Sequence, residues 1–265
     1  MITLTMIVLS VCMIAVTYVF LVMPRATDGA DMDLQRTDYA DGGLHSPRCP
    51  VGSFDAIKAA RNHGYGVKID IAISRDGKLF AVGYRDISKA CGTKAQLETL
   101  SSSDIKKLRL CNTGYGILPL SEVFTLIDGN VPILIEIREN QYALRICRKL
   151  CTLTDGYAGA FAIQSTSPQV LAFFKKYRPR YARGQVISCN SGKGFTRFVR
   201  KHMFTNVYAR PDFVTTPHKM VSEPAFLLTT KLFRKTGFIK GVRDVQQYDS
   251  CRTRGLYAIF CNIEP

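Results

Sequence analysis

The chain has 265 residues, 46% of them hydrophobic and 22% charged, with a formal net charge of +15. Its length allows one large domain or two small ones, its apolar content is ordinary for a globular core, and its positive excess points to anionic partners such as lipid headgroups, nucleic acid or phosphorylated ligands. Nine cysteines without a CxxC pair or a Cys/His zinc spacing exclude a zinc module, and no internal repeat or low-complexity tract is present.

Residues 2–23, ITLTMIVLSVCMIAVTYVFLVM, carry no formal charge. At about 1.5 Å per residue a helix of this length reaches roughly 33 Å, enough to cross a bilayer. A cleaved signal peptide is the rival reading; it wants a basic n-region, a shorter apolar core and a small-residue cleavage site. No Lys or Arg precedes the segment, and VMPRATDG is a poor cleavage site. Residues 1–24 are therefore read as a retained, single-pass anchor in the cell membrane. Arg25 and Arg36 follow the span and only Met1 precedes it, so the positive-inside tendency places the remainder in the cytoplasm. Eight cysteines lie beyond the span; outside the cell they could make four disulfides. Cys147 and Cys151, one helical turn apart, read as two packed thiols.

Residues 25–37 form a polar linker. In 38–265, strand-like and helix-like segments alternate. The strand candidates are DYAD, VKIDIAI, KLFAVG, VPILIEIRE, AGAFAIQS, RGQVIS, PDFVTT, GFIKGV and YAIFCNI, with the turn SRDG joining the second and third. SFDAIKAARNHG reads as a helix with a Gly stop, and SSSDIKKLRL and LSEVFTLIDG as helices opened by Ser. QYALRICRKLC, SPQVLAFFKKYRP and EPAFLLTTKLFRKT read as later helices. Such alternation implies a mainly parallel sheet with helical crossovers. About eight units suit a closed (β/α)8 barrel. Nine strand candidates are one too many, so one of the late ones is expected to be loop. An open doubly wound sheet is the alternative, but no GxGxxG or P-loop pattern supports it.

The basic excess is uneven. Residues 1–132 hold 14 Lys/Arg against 13 Asp/Glu, and residues 133–265 hold 22 against 8. It gathers in runs such as FFKKYRPRYAR (173–183) and KGFTRFVRKH (193–202). Taken together they suit a surface held near anionic lipid; any one run taken alone is an ordinary solvated face. VKIDIAI poses a separate question. Lys68 and Asp70 share one face of a strand that otherwise reads as buried.

The order DYADGGLHSPRCPVGSFDAIKAARNHGYGVKIDIAISRDGKLFAVGYRD resembles the start of a glycerophosphodiester phosphodiesterase domain. CGTKAQLETLSSSDIKKLRLCNTGYGILPLSEVFTLIDGNVPILIEIRE, FAIQSTSPQVLAFFKKYRPRYARGQ, RPDF and IFCNIEP continue the likeness over 38–265. It is similar to the bacterial branch with an N-terminal transmembrane helix. The resemblance implies a (β/α)8 barrel of the phospholipase C-like phosphodiesterase type. It implies hydrolysis of a glycerol phosphodiester, with a divalent cation (Ca²⁺ or Mg²⁺), two histidines as general acid and base, and basic residues on the phosphate.

Carried over residue by residue, most of that site is missing. The family's AHRG is ADGG here, with Asp41 for the first His and Gly42 for the Arg. PEN[ST] is PVGS, with Val51 and Gly52 at the polar positions. ELD is KID, with Lys68 for a metal-binding Glu and Asp70 kept. FHD is VGY, with Gly83 for the second His and Tyr84 for the Asp. EIK survives as EIR, keeping Glu136 and Arg138, and WTV is KGV, with Gly241 for an aromatic wall. No catalytic position is intact. By this resemblance Asp70 and Glu136 are a residual, incomplete metal set, and Arg138 and Lys68 are the candidate phosphate-binding residues. His45, four residues beyond Asp41, is a candidate substitute but reads as a loop residue with a structural role, and His63, His202 and His218 lack a partner pattern; none is expected to be catalytic.

Lys68 could neutralise Asp70 and Glu136 without any metal, since unpaired buried charge is costly. The alternative is that it snorkels to solvent at the barrel mouth. Three functions compete: a membrane-anchored pseudoenzyme binding an anionic ligand, lipid headgroup or protein partner; an active phosphodiesterase releasing glycerol 3-phosphate from a rearranged site; and a nucleic-acid binder, ranked last for want of a recognised module. The first needs no cofactor, the second a divalent cation.

Overall fold

The computed structural model of the chain describes residues 2–26, 34, 36–83, 87–93, 95–188 and 194–265. Among these, nine strands form one sheet: β1 (Tyr39–Asp41), β2 (Gly66–Ile73), β3 (Leu79–Val82), β4 (Ile133–Ile137), β5 (Phe161–Ser165), β6 (Ala182–Val186), β7 (Phe213–Pro217), β8 (Gly237–Val242) and β9 (Tyr257–Phe260). The order is β1-β9-β8-β7-β6-β5-β4-β2-β3, and a parallel pairing of β1 with β2 closes the ring. Eight parallel strands make the barrel. All nine sequence candidates are strands, so the expectation that a late one is loop is wrong. The surplus strand is β3, which the SRDG turn folds back antiparallel on β2, with Asp70 opposite Val82 and Ile73 opposite Leu79. A short turn can only return a strand antiparallel, so β3 cannot be a barrel stave.

The helices are α1 (Ile2–Val22), α2 (Phe54–Asn62), α3 (Ile87–Cys91), α4 (Ser102–Lys107), α5 (Leu120–Ile127), α6 (Ala143–Thr154), α7 (Pro168–Tyr177), α8 (Gly194–Lys201), α9 (Asn206–Ala209), α10 (Pro224–Leu227) and α11 (Val245–Thr253). Ser53 caps α2 by accepting the Ala56 N–H, and Ser101 caps α4 by accepting the Asp104 N–H. LSEVFTLIDG differs from expectation: Pro119 holds the cap position and Ser121 lies inside the first turn. EPAFLLTTKLFRKT is also not one α-helix. After α10 it widens into a π-type turn over Leu228–Leu232. There the Thr229 and Thr230 hydroxyls bond back to the Ala225 and Phe226 carbonyls, which perturbs the regular ladder.

Both faces of the barrel strands are covered. Outward residues such as Val67, Ile69, Ile135, Ile163, Val214 and Ile239 pack beneath the helices. Inward residues near the strands' N-terminal ends, Tyr39, Leu134, Ala162, Ala182, Phe213, Phe238 and Ile259, fill the base. Their rings meet edge to face, Tyr39 with Phe238 at 5.7 Å and Phe213 with Phe238 at 5.5 Å.

Thr3–Val22 is long and apolar enough to cross a membrane and is almost wholly exposed along its length. Its last turn is not free. Val22 is fully buried, Asn206 Nδ2 donates to the Val22 carbonyl at 3.1 Å, and Arg210 donates to the Met23 carbonyl at 2.9 Å. The Tyr18 ring meets Phe204 edge to face at 5.6 Å. The Arg25 N–H bonds the Pro211 carbonyl at 3.0 Å, and its guanidinium lies 3.5 Å from Asp212. Most of the expected linker falls outside the described residues. The eight described cysteines are free; Cys147 and Cys151 are buried on α6, and burial pushes the Cys147 thiol up to about 12.

Candidate ligand site at the barrel mouth

Parallel register brings the polar residues together. Asp41 at the end of β1 lies beside Lys68 of β2, and Asp70 of β2 lies beside Glu136 of β4, which in turn lies beside Gln164 of β5. Residues paired in register project to the same face, so all of these point into the barrel. They sit above the apolar base, toward the strands' C-terminal ends, where a barrel's loops can build a site.

The Lys68 ammonium is the hub. Nζ lies 3.0 Å from Asp41 Oδ1, 3.0 Å from Asp70 Oδ1 and 3.3 Å from Glu136 Oε2. Only 8% of its side chain is exposed, so the snorkelling alternative is excluded. Asp70 uses its second oxygen for Arg138. Glu136 Oε2 also accepts from Gln164 Nε2 at 2.9 Å, and Gln164 Oε1 accepts from Thr215 Oγ1 at 2.8 Å. The network thus runs from β1 through β2, β4 and β5 to β7.

The titration of each group follows from these contacts. Burial alone would drive the Lys68 pKa down, but Asp70, Glu136 and Asp41 together hold it well above the ordinary amine value. Burial would raise Asp70, but Lys68 and Arg138 overcome it and keep the carboxyl below its ordinary value. Among the described residues Asp41 has Lys68 but no second cation in ion-pair reach. Burial and the neighbouring Asp70 and Glu136 charges leave its pKa raised despite the ammonium.

Two positions that carry side-chain chemistry in the resembling family are closed by Val51, Gly83 by its backbone and Gly42 by its side chain. A Cβ on Gly83 would lie 2.4 Å from the Val51 carbonyl oxygen, and one on Gly42 would lie 2.3 Å from Val51 Cγ1. Gly42 also has φ +72°, which disfavours a side chain. Tyr84 lies outside the described residues. No histidine enters the mouth in its place. His45 Nδ1 is 3.1 Å from the Gly43 carbonyl and lines only an adjoining cavity. His63 faces Glu264, and His202 packs among aromatic rings.

The resulting cavity, about 900 Å³, is lined by Asp41, Lys68, Asp70, Gly83, Glu136, Arg138 and Glu139, and by Lys240 and Arg243. The structure therefore gathers five charged candidates from the sequence in one place, together with Gly83. Gly42 lies behind Val51 and outside the lining. Gln164, Thr215 and Arg243 were not singled out. Gln164 could have been found as an inward-facing polar residue in a strand; Arg243 leaves no signal in sequence beyond its charge.

A divalent cation does not fit these residues as they stand. The three carboxylates that would be its donors already converge on Nζ of Lys68, an ammonium at the centre of the set. Among the described residues no cluster of three or more His, Cys, Asp or Glu is arranged to hold a metal.

No protein-family model and no curated protein sequence matches the chain. Solved structures do. A glycerophosphodiester phosphodiesterase from Parabacteroides distasonis is 15% identical, with 86% of this chain and 93% of that chain covered and a TM-score of 0.68. One from Thermotoga maritima is 19% identical, covering 85% and 94%, TM-score 0.67. A phosphodiesterase from Oleispira antarctica, solved with the product sn-glycerol-3-phosphate, is 15% identical, covering 84% and 91%, TM-score 0.69. The chain has the fold of the glycerophosphodiester phosphodiesterases, as its motif order implied.

Proposed function

We propose that this chain is a membrane-anchored, non-hydrolysing relative of the glycerophosphodiester phosphodiesterases that binds a phosphate-bearing ligand, a glycerophosphodiester or lipid headgroup, in its barrel mouth. The observation that carries this reading is Lys68 Nζ ion-paired to three carboxylates from three strands. It neutralises part of the carboxylate charge and uses up the donors a cation would need. Proton transfer lacks one of its two agents: a positioned acid or base contributes roughly 10²–10⁴-fold, and Gly83 has no room for one. What remains is binding. Lys240 and Arg243 in the lining and Arg138 beside Asp70 offer the positive groups a phosphate needs. The buried Val22 turn supports a retained α1, with the barrel on the cytoplasmic side.

The test uses the purified full-length chain in detergent with glycerophosphodiesters and Ca²⁺, Mg²⁺ or Mn²⁺. Expected is no turnover at a typical enzyme rate, together with calorimetric binding of glycerol 3-phosphate that Arg243→Ala weakens. Robust metal-dependent release of glycerol 3-phosphate, abolished by Asp70→Ala, overturns the reading. The rival, an active hydrolase, has one observation in its favour: Asp41 is a carboxyl on the cavity with a raised pKa. If turnover is found, its loss in Asp41→Asn would identify that carboxyl as the acid. For the anchor, release of the chain from membranes by alkaline carbonate is the outcome that counts against it.

A further inference from the structure

The outer surface around the last turn of α1 gathers features the barrel mouth does not explain. From Gly156 to Pro211 the chain has ten Lys/Arg and no Asp or Glu. This stretch includes both basic runs; α7, in the first, reaches α1 through α9, and α8, in the second, reaches it through aromatic rings. α9 packs on α7 on one side and on α1 on the other, while the Leu228–Leu232 turn meets α1 separately. Lys175 of α7 donates to the Tyr208 carbonyl of α9 at 3.0 Å. A file of rings leads outward from the anchor: Tyr18 to Phe204 at 5.6 Å, Phe204 to Phe198 at 5.8 Å, and Phe198 to Phe195 at 6.5 Å.

The same elements expose their apolar side chains. Outside α1, nine large hydrophobic residues among those described are exposed, and six of them are Tyr177, Phe195, Phe198, Tyr208, Leu227 and Leu232. Phe195 is 79% exposed and Tyr208 68%. Single exposed apolar residues are ordinary; a cluster of this kind marks a contact surface.

We propose that α7, α8, α9 and the Leu228–Leu232 turn form a surface that seats the barrel in the headgroup layer of an anionic bilayer, the one α1 enters. Charge and continuity select this occupant. Aromatic rings favour the membrane–water interface, and Lys and Arg beside them favour anionic headgroups while their stems lie along apolar surface. An acid-free stretch of 56 residues suits such a leaflet, with Arg183 buried and Arg178 and Arg200 already ion-paired to Asp155 and Glu139. The packed joint at Val22, Asn206 and Arg210 holds the surface at a fixed place relative to α1. The seat has no dependence on the mouth chemistry; it rests on the reading that α1 crosses a membrane.

The chain contains no tryptophan, so one introduced indole reports its own surroundings. Full-length Phe195→Trp, Leu232→Trp and, as a distant control, Phe54→Trp are reconstituted into phosphatidylcholine–phosphatidylglycerol vesicles with brominated acyl chains. Vesicles washed with alkaline carbonate establish insertion first. Expected are blue-shifted emission and loss of intensity to bromolipid for positions 195 and 232, neither for position 54, and weaker quenching in pure phosphatidylcholine or high salt. Inserted Phe195→Trp and Leu232→Trp chains whose emission behaves like that of Phe54→Trp overturn the seat and leave the anchor standing. Emission of Phe195→Trp that is shifted to the blue but not quenched points to a second copy of the chain on this face, and also overturns it. A chain washed out of the vesicles overturns anchor and seat together. Quenching that ignores both anionic lipid and salt removes the charge component of the proposal.

Discussion

The interior of the barrel has two layers built on the same strands. At the base stand Tyr39, Leu134, Ala162, Phe213 and Phe238. Two residues further along the same five strands stand Asp41, Glu136, Gln164, Thr215 and Lys240. A step of two keeps a side chain on the inner face, so position along the strand alone changes the chemistry. The base is stabilised by volume and burial. The mouth layer is stable only as a whole. Lys68 is held by three carboxylates, Asp70 by two cations, and Glu136 by an ammonium and an amide. Removing one member leaves buried charge short of a partner.

The two layers should therefore break differently. Lys68→Ala removes the hub and leaves three carboxylates facing one another, at a cost of roughly 3–5 kcal/mol. In EDTA its melting temperature should fall well below the parent's, and Ca²⁺ or Mg²⁺ should recover part of the loss by entering the vacated centre. The unmodified chain should show no comparable response. A Lys68→Ala variant that melts like the parent would mean that the cluster is not coupled. Phe238→Ala attacks the base and should cost roughly 3 kcal/mol or more, because the cavity among Tyr39, Phe213 and Tyr257 closes only in part. That loss should be indifferent to divalent ions. Ion-dependent recovery in Phe238→Ala would erase the distinction between the layers.

The strands and their outward apolar faces were legible in sequence, and little of the mouth was. Val67, Ile69 and Ile71 alternate with Gly66, Lys68 and Asp70, and this period reveals strand and face without any partner. The late strands were legible for the same reason, and the error lay in discarding one of them instead of recognising β3 as a hairpin return. The mouth depends on pairings across the chain. Asp41 and Lys68 are neighbours only because β1 pairs with β2, and Gln164 matters only because Glu136 lies beside it. The motif order supplied the positions, including Asp41, but not Asp41's part in holding Lys68. The closure over Gly42 and Gly83 was invisible, since nothing in PVGS says that Val51 turns its carbonyl and side chain onto both glycines. Ser121 and Leu228–Leu232 were misread because local Ser and helix-former signals were overridden by Pro119 and by threonine back-bonding.

Gly83→Ala should have a smaller effect than either Lys68→Ala or Phe238→Ala. Its Cβ would lie 2.4 Å from a backbone oxygen and 2.6 Å from Val51 Cγ1, so the Val51 loop must move. Overpacking of this kind costs about 1–3 kcal/mol. Gly83→His should be no more active than the parent and at least as destabilised as the Ala variant. Combining Gly83→Ala with Val51→Gly should recover less than the full loss, since only the side-chain part of the clash is removed. Melting curves of the three variants decide this. A Gly83→Ala chain as stable as the parent would show that the loop yields freely and that the mouth is not sealed there.

The smallest effect is expected outside the barrel, at Asp76 in the β2–β3 turn. Its carboxylate accepts the Ser102 hydroxyl at 2.6 Å and the Ser102 N–H at 2.8 Å, tying the turn to the start of α4. The Ser102 and Ser74 side chains and the Ser102 N–H hold the Asp76 pKa below the ordinary carboxylate value. A folded-state pKa that is depressed contributes stability above the unfolded-state value, and that contribution fades as pH falls through the folded one. At neutral pH Asp76→Asn should thus melt slightly below the parent, keeping one acceptor but losing the charge. The gap should narrow as pH drops below about 4, where the unfolded carboxyl protonates. In contrast to Lys68→Ala, no divalent ion should alter it. Exchange of the Ser102 amide, followed by NMR across the same range, separates this local tie from global unfolding. A gap that stays constant from neutral to acid pH would assign the loss to shape and hydrogen-bond count instead of to charge.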